Sequence, residues 1–203
     1  ASHRDTFFQA MTFPNRPGLT PVSIVQAAAE AFEGAPRLAV DAGAHMFSAV
    51  AFWPASLPHD VLISNGLATM AFALPAAVAA AMHDPERGAV AMTGDGGLMM
   101  CMGELVTAVQ QNANLTVIVF NDGALSLIDI KRQEIQLPDL GFTWNRPDFA
   151  AAAKGLGLES WRVATAEELM SALDAATDHK GPSLIDVVLD PDGYLEQMRA
   201  MRG

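Results

Sequence analysis

Gly94-Asp95-Gly96-Gly97 and Asn121-Asp122-Gly123 are the two short stretches that decide the fold of this chain. The apolar run 88–92 lies just before the first stretch, and the apolar run 115–120 lies directly before the second. Nearly continuous apolar runs are typical of strands in a parallel sheet that is covered on both faces. A helical connection between two such strands brings the turns at their ends to one edge of the sheet. We therefore expect Asp95 and Asn121 to meet at that edge.

Strands and helices are predicted to alternate on both sides of this central stretch. Helix starts are marked by Thr20-Pro21 and by the capping box Thr165-x-x-Glu168. The alternation predicts an α/β fold, a doubly wound and mainly parallel sheet with helices on both faces. The predicted strands are 37–41, 61–63, 88–92, 115–120, 158–163 (an edge strand) and 183–189, and the predicted helices are 21–34, 67–82, 104–111, 125–132, 148–155 and 165–177, with a lid-like loop at 138–144.

The segment 67–82 is apolar almost all round and is interrupted only by Pro75. A helix without a polar face is buried on all sides, so we expect this one to lie inside the protein or against a partner subunit. With 203 residues, 51% of them hydrophobic, the chain is long enough for one domain with a sizeable core. We expect a single domain at 20–203, preceded by a linker or N-terminal extension at 1–19.

The composition excludes several classes of function. A net charge of −11, from 23 acidic and 12 basic residues, opposes binding to nucleic acid or to an anionic membrane. The single cysteine, Cys101, excludes an internal disulfide framework and a site with several thiolates, which suits a reducing cytoplasm. No apolar run is long enough for a signal peptide or a membrane span, so we expect a cytoplasmic protein without a membrane partner.

A glycine turn between a strand and a helix can hold a phosphate, because its backbone amides and the helix N-terminus face the anion. Asp95 within that turn would repel a diphosphate unless a cation lay between them. Mg²⁺ prefers about six oxygen ligands. Asp95, the Asn121 amide oxygen and the Gly123 carbonyl could supply three of them. Alternatively, Asp95 caps the following helix and Asn121 occupies an ordinary turn.

The same residues resemble the cofactor signature of enzymes that depend on thiamine diphosphate. The signature is Gly94-Asp95-Gly96 followed, after the 24 residues 97–120, by Asn121. The segment 64–77, the helix around 104–108 and the C-terminal segments 148–150 and 182–187 are similar to the acetolactate synthase and 2-oxoacid decarboxylase group. The resemblance covers most of the chain and implies the diphosphate-binding domain of such an enzyme.

The resemblance also implies roles for individual residues. Thiamine diphosphate and Mg²⁺ are the implied cofactors. Asp95, Asn121 and the Gly123 carbonyl would bind the metal, while amides of the 94–97 turn would meet the diphosphate. Met70 would support the bent cofactor, although an ordinary core methionine is the alternative, and His45 would hydrogen-bond the diphosphate, or else cap a helix or face an interface. The complete set of implied cofactor-binding residues is His45, Ala68 (through its carbonyl), Met70, Gly94, Asp95, Gly96, Gly97, Asn121 and Gly123.

Asp122 departs from the resemblance, because a second Asn is frequent at this position in the family. Its charge would either alter metal affinity or point outward. The segment 124–133 also differs from the acetolactate synthases, and there Lys131 and Arg132 would meet an anionic substrate or a partner, or form a solvated helix face.

The implied function is a magnesium- and thiamine-diphosphate-binding domain or subunit of a lyase or transferase. Such an enzyme decarboxylates a small 2-oxo acid, joins the product to a second carbonyl compound, or does both. The glutamate that activates the cofactor lies on a separate pyrimidine-binding domain in this family. We therefore expect no catalytic residue on this chain, a homo- or hetero-oligomer, and no activity without the partner domain. The alternatives are the β subunit of a two-subunit sulfopyruvate or phosphonopyruvate decarboxylase, and a non-catalytic phosphate-binding module.

Overall fold

Six strands form one parallel sheet in the computed structural model. The model describes residues 18–138, 141–191, 194–195 and 197–198. The strands are β1 Arg37–Val40, β2 Val61–Ile63, β3 Ala89–Gly94, β4 Leu115–Asn121, β5 Glu159–Val163 and β6 Ser183–Val188. All strand pairs are parallel, and the strand order is β2-β1-β3-β4-β6-β5. This confirms the predicted doubly wound sheet and places the predicted edge strand, β5, at an edge.

Helices cover both faces of the sheet, because the connections between parallel strands must cross over them. The helices are α1 Pro21–Ala31, α2 Ala44–Phe52, α3 Ala73–His83, α4 Asp95–Cys101, α5 Glu104–Gln110, α6 Ser126–Glu134, α7 Phe149–Gly155 and α8 Ala166–Asp178. On one face, side chains of α1, α2, α6 and α8 form a buried cluster with every second residue of the central strands. On the other face, side chains of α3, α4, α5 and α7 form a second buried cluster with the alternate residues of these strands.

The helix starts that were predicted from capping residues are confirmed. Thr20 accepts a hydrogen bond from the Ser23 amide at the start of α1, and Thr165 forms the predicted capping box with Glu168 at the start of α8. Helix α1 ends three residues earlier than predicted, at Ala31. Gly34 has a φ of +61° and donates its N–H to the Ala29 carbonyl, so it closes the turn that follows the helix.

One predicted helix is corrected by the structure. The helix predicted at 67–82 begins only at Ala73, because Ala68 and Ala71 have positive φ and the segment before Ala73 is a loop. Pro75 then lies in the first turn, where its missing N–H costs nothing. This helix is not enclosed within the described chain, since Met82 is 52% exposed. The helix predicted at 104–111 is confirmed as α5, and the structure adds the short helix α4 at the glycine turn before it.

The register of β3 and β4 brings the two decisive turns together. Gly94 pairs with Phe120, so Asp95 and Asn121 leave adjacent strands at the same edge of the sheet, as predicted. Residues 1–17, which include most of the predicted linker, lie outside the described residues, whereas Leu19 already packs in the core. Within the described part of the chain, no helix is long and apolar enough to span a membrane.

Asp41, directly after β1, holds the loop before α3 in place. Its buried carboxylate accepts hydrogen bonds from the amides of Ala71, Phe72 and Ala73 at 2.6–3.1 Å, and from the Thr93 hydroxyl at 2.6 Å. The carboxylate therefore satisfies free N–H groups at the start of α3, and its negative charge interacts favourably with the positive end of the helix dipole. It also joins this loop to the end of β3.

We expect Asp41→Ala to destabilise the chain by about 3 kcal/mol, because several buried donors lose their partner at once. The free energy of unfolding in urea measures this loss. Asp148→Ala is the matched control, since Asp148 caps α7 through one bond to the Ala151 amide and its side chain is 54% exposed. The control is expected to cost about 1 kcal/mol. Equal losses in the two variants would contradict the role of Asp41.

Candidate functional site

A cavity lies at the carboxyl edge of the sheet, where the loops after β1, β3 and β4 meet. Ligands of open α/β sheets bind at this edge. Most of the predicted site residues line the cavity together: His45, Ala68, Met70, Gly94, Asp95, Gly96 and Gly97. The structure adds Asp122, Leu125 and Tyr194 to its walls.

The glycine turn has no room for side chains. A Cβ on Gly97 would collide with the Asp41 carboxylate and lie 2.7 Å from Thr93 Oγ1. A Cβ on Gly96 would lie 2.7 Å from Leu125 Cδ2 and 3.2 Å from Met70 Cε. The two glycines therefore let the backbone pass between the Asp41 network and the cavity. The Met70 side chain approaches the turn at Gly96.

Asp95 joins the two decisive turns. It is 1% exposed, and its Oδ1 accepts the Gly96 amide at 2.7 Å while its Oδ2 accepts the Gly123 amide at 2.8 Å. Burial raises the pKa of Asp95, and the two amides oppose that shift. The Gly96 amide, which was predicted to meet a diphosphate, is thus already engaged by Asp95 and would have to share its hydrogen.

Asn121 is completely buried beside Asp95, and only one end of its amide is satisfied. Its Nδ2 donates to Asp186 Oδ1 at 2.8 Å and to the Pro147 carbonyl at 2.9 Å. Its Oδ1 has no hydrogen-bond partner. A buried polar atom without a partner costs free energy, which a bound cation would recover. This unsatisfied oxygen fits the predicted role of Asn121 as a metal ligand.

Gly123 has a φ of +78°, a conformation that favours glycine. Its carbonyl accepts the Trp144 amide at 2.8 Å, and the Leu125 amide donates to the Phe142 carbonyl. The described part of the predicted lid-like loop, 141–144, is therefore hydrogen-bonded to the segment after β4, while residues 139 and 140 lie outside the described residues. A carbonyl oxygen has two lone pairs, so Gly123 keeps one for a further partner.

Asp122 points into the protein. Its carboxylate accepts the Ser126 hydroxyl at 2.6 Å and the Ala124 amide at 3.0 Å, and Asp122 lines both the cavity and an adjoining pocket. Burial raises the pKa of Asp122 to about 7, against the hydrogen bond from Ser126, and the charge of Asp95 adds to the rise. The Asp122 side chain therefore does not point outward, which was one of the two predicted arrangements, and it lies near the candidate metal site.

His45 lies in the first turn of α2 and is 4% exposed, with its ring stacked on Phe120 at 5.1 Å between centroids. Burial lowers its pKa to about 4, although the Asp41 charge and a hydrogen bond to the Met92 carbonyl oppose this. Because Nε2 has no partner, Nδ1 is the atom that donates to Met92. The neutral ring thus presents a lone pair at Nε2, and donating from this atom to a phosphate oxygen would require an added proton.

Several residues of the site were not predicted as such. Asp41 and Asp186 are buried acids at or within apolar strands, a pattern that signals a polar network even when its partners are unknown. Trp144 and Tyr194 come from segments whose approach to the cavity depends on the tertiary fold. In the described residues, no three His, Cys, Asp or Glu side chains cluster as a metal site, so any metal here needs amide or carbonyl oxygens as well.

The chain matches known proteins over most of its length. Residues 41–187 match the family described as "Thiamine pyrophosphate enzyme, C-terminal TPP binding domain". The chain is 33% identical over 171 residues to the putative thiamine pyrophosphate-containing protein YdaP of Bacillus subtilis (strain 168), covering 84% of this chain and 30% of that protein.

Acetolactate synthases are also among the relatives. The catabolic acetolactate synthase of Raoultella terrigena is 32% identical, with coverage of 87% of this chain and 32% of that protein. The acetolactate synthase isozyme 1 large subunit of Escherichia coli (strain K12) is 30% identical, with coverage of 86% and 31%. The chain thus spans about a third of the length of these curated relatives. The matches confirm the resemblance drawn from the sequence and its cofactor, thiamine diphosphate with Mg²⁺ as the usual partner.

The raised pKa of Asp122 predicts a pH-dependent stability. An unfolded Asp binds its proton with a pKa of 3.8, whereas the folded pKa is about 7, so the free energy of unfolding falls as the pH rises between these values. We expect Asp122→Asn to remove this dependence, so its free energy of unfolding should exceed that of the unmodified chain by more at pH 8 than at pH 5. Urea unfolding of both proteins at the two pH values measures it. Parallel changes in both proteins would contradict the buried, proton-binding Asp122.

Proposed function

Since this chain belongs to the family of thiamine pyrophosphate enzymes, within their C-terminal TPP binding domain, we propose that its cavity binds Mg²⁺ and thiamine diphosphate for an acetolactate synthase-like reaction. The enzyme would decarboxylate a 2-oxo acid, join the product to a second carbonyl compound, or do both. The observation that carries the proposal is the buried, unpartnered Oδ1 of Asn121 beside the Asp95 carboxylate.

The proposed metal ligands are all oxygen atoms at the ends of β3 and β4. Asp95 supplies a carboxylate, Asn121 its free Oδ1, and Gly123 the remaining lone pair of its carbonyl. Mg²⁺ prefers oxygen ligands and often binds through one or two carboxylates together with substrate phosphates and waters. Diphosphate oxygens and water would complete the coordination. The cation would also compensate the buried charge of Asp95, which in this structure accepts the Gly96 and Gly123 amides.

The proposed cofactor contacts surround this metal. The Gly97 amide would face the diphosphate, the Gly96 amide would share its hydrogen between Asp95 and the diphosphate, and His45 would approach the diphosphate from α2. Met70 supports the cofactor across from the glycine turn, and the Ala68 carbonyl accepts from its amino group. When bound, thiamine diphosphate supplies the electron sink that stabilises the negative charge left on the substrate carbon. The residues of this chain would hold and orient that group.

The proposal requires a second, pyrimidine-binding domain or subunit in a homo- or hetero-oligomer. This chain spans about a third of its relatives, and their names include large subunits of acetolactate synthase. Two apolar side chains, Leu67 next to Ala68 in the chain and Met100 on α4, are 86% and 62% exposed on the described chain. Such exposure supports a covering partner. We propose that residues 20–203 form one domain, that 1–19 link it to its neighbour, and that the activating glutamate comes from the partner.

The test is the thermal stability of the chain with Mg²⁺ and thiamine diphosphate added together. Binding at a hundredfold excess over Kd stabilises a protein by about 2.7 kcal/mol. We expect a clear rise in Tm for the unmodified chain, no rise for Asp95→Ala, and no rise for the isosteric Asp95→Asn. Asp174→Ala, on the exposed side of α8, is the control and should keep the rise.

Magnesium or cofactor added singly should give a smaller shift than both together. The absence of any shift in the unmodified chain, even with a complementing pyrimidine-binding domain, would overturn the proposed function. A full shift in Asp95→Asn would overturn the assignment of the metal ligand.

A further inference from the structure

The carboxamide of Asn121 lies in a polar network that is buried beneath the candidate metal site. Asp186, on the neighbouring strand β6, is completely buried and pairs in register with Val119. Asn121 is two residues further along β4, so its side chain is a diagonal neighbour of Asp186 on the same face of the sheet. Their contact, from Asn121 Nδ2 to Asp186 Oδ1, measures 2.8 Å.

The chemistry of the neighbours determines which way the Asn121 amide faces. Two acceptors without hydrogens, the Asp186 carboxylate and the Pro147 carbonyl, lie 2.8 and 2.9 Å from one end of the amide. Only the NH₂ end can satisfy both, because an oxygen there would face two other oxygens. The Oδ1 end is therefore directed away from the network and is left without a partner.

We propose that Asp186 is a positioning residue for the metal site: by accepting from the Asn121 amide, it holds Asn121 Oδ1 toward the cation. The proposal rests on the proposed function for the identity of that cation. A carboxylate accepts more strongly than a neutral carbonyl. The Pro147 carbonyl is, in addition, shared with Arg162 Nη1 at 2.7 Å. Asp186 is thus the dominant acceptor that orients the amide.

Asp186 is itself held so that it cannot turn. Its second oxygen, Oδ2, accepts Arg162 Nη1 at 2.8 Å and the Phe149 amide at 3.1 Å. Both groups are donors only, so an oxygen must remain at this position. Each carboxylate oxygen therefore has a separate task. Oδ2 anchors Asp186 between β5 and α7, and Oδ1 orients Asn121.

This division of tasks makes Asp186→Asn a sharp test, because the shape of the side chain is unchanged. The new carbonyl must face Arg162 and Phe149, which places the new NH₂ group against the NH₂ of Asn121. Two donors cannot pair, so the Asn121 amide is expected to turn over. Its oxygen would then accept from residue 186, and its NH₂ group would face the metal site. An NH₂ group cannot ligate Mg²⁺.

Ser183→Ala is the matched control. Ser183 is also buried on β6, and its hydroxyl donates to Thr116 Oγ1 at 3.0 Å without contacting Asn121. The Ser183→Ala substitution thus removes a buried hydrogen bond between β4 and β6, the strands that carry Asn121 and Asp186. Thermal unfolding of both variants in the absence of ligand shows whether their losses of stability are comparable.

The first measurement needs neither metal nor cofactor. Hydrogen exchange of the Asn121 side-chain amide, followed by NMR, is expected to be at least tenfold slower in the unmodified chain than for an exposed Asn. Asp186→Asn should lose this protection, and Ser183→Ala should keep it. An unprotected amide in the unmodified chain would overturn the proposal without any variant, and so would full protection in Asp186→Asn.

The second measurement is the affinity for Mn²⁺, a spectroscopic substitute for Mg²⁺, in the presence of thiamine diphosphate. Loss of an outer hydrogen-bond partner of a metal ligand typically weakens metal binding by about 10- to 100-fold. We expect a weakening in that range for Asp186→Asn and a change of less than about twofold for Ser183→Ala. Equal affinities in the two variants would overturn the proposal. If the unmodified chain binds no Mn²⁺ with cofactor and partner domain present, the proposed function fails, and amide exchange still decides the orientation of Asn121.

Discussion

The hydrogen bond from the Gly123 amide to Asp95 is the interaction on which the site depends. It joins the turns after β3 and β4, whose strands are already paired with Gly94 opposite Phe120. The strand register brings the two turns next to each other, and this bond fixes the direction of the Asp95 carboxylate relative to the second turn. Because Asp95 is buried, its charge must be compensated locally, and two amides provide that compensation in the unliganded chain.

Asp41 connects this centre to the loop that carries Ala68 and Met70. Its carboxylate binds three successive amides of that loop and the hydroxyl of Thr93, one residue before the glycine turn. The same carboxylate lies where a Cβ of Gly97 would be, so the glycine is required by the network as much as by any ligand. One acid thus fixes the position of two cavity walls relative to each other.

The site retains polar atoms that the protein does not satisfy. Asn121 Oδ1 and His45 Nε2 are buried without partners, although most buried polar atoms in folded proteins have one. These two atoms lower the stability of the folded chain. Asp122, in the same region, has a poorly solvated carboxylate. Local features that oppose stability are expected at functional sites, and here they coincide with the residues that the resemblance assigned to cofactor and metal.

The sequence by itself determined where the strands lie, that they form a parallel sheet, and the edge of the sheet at which Asp95 and Asn121 meet. These follow from apolar runs, helix caps and glycine turns, which are local signals. The family resemblance, carried by the same residues, also determined the cofactor. Local signals failed for the loop before α3, where Ala68 and Ala71 adopt positive φ despite their high helix propensity, and where Asp41, directly after β1, accepts the Ala71 amide. Propensity is a weak preference that such tertiary contacts override.

Only the tertiary structure decided how the predicted residues are oriented. The neutral ring of His45 and the free oxygen of Asn121 depend on partners far away in the chain. Asp186 is 65 residues from Asn121, and no periodicity or spacing connects them. The physical reason is that the direction of a buried polar group is set by which donors and acceptors surround it after folding.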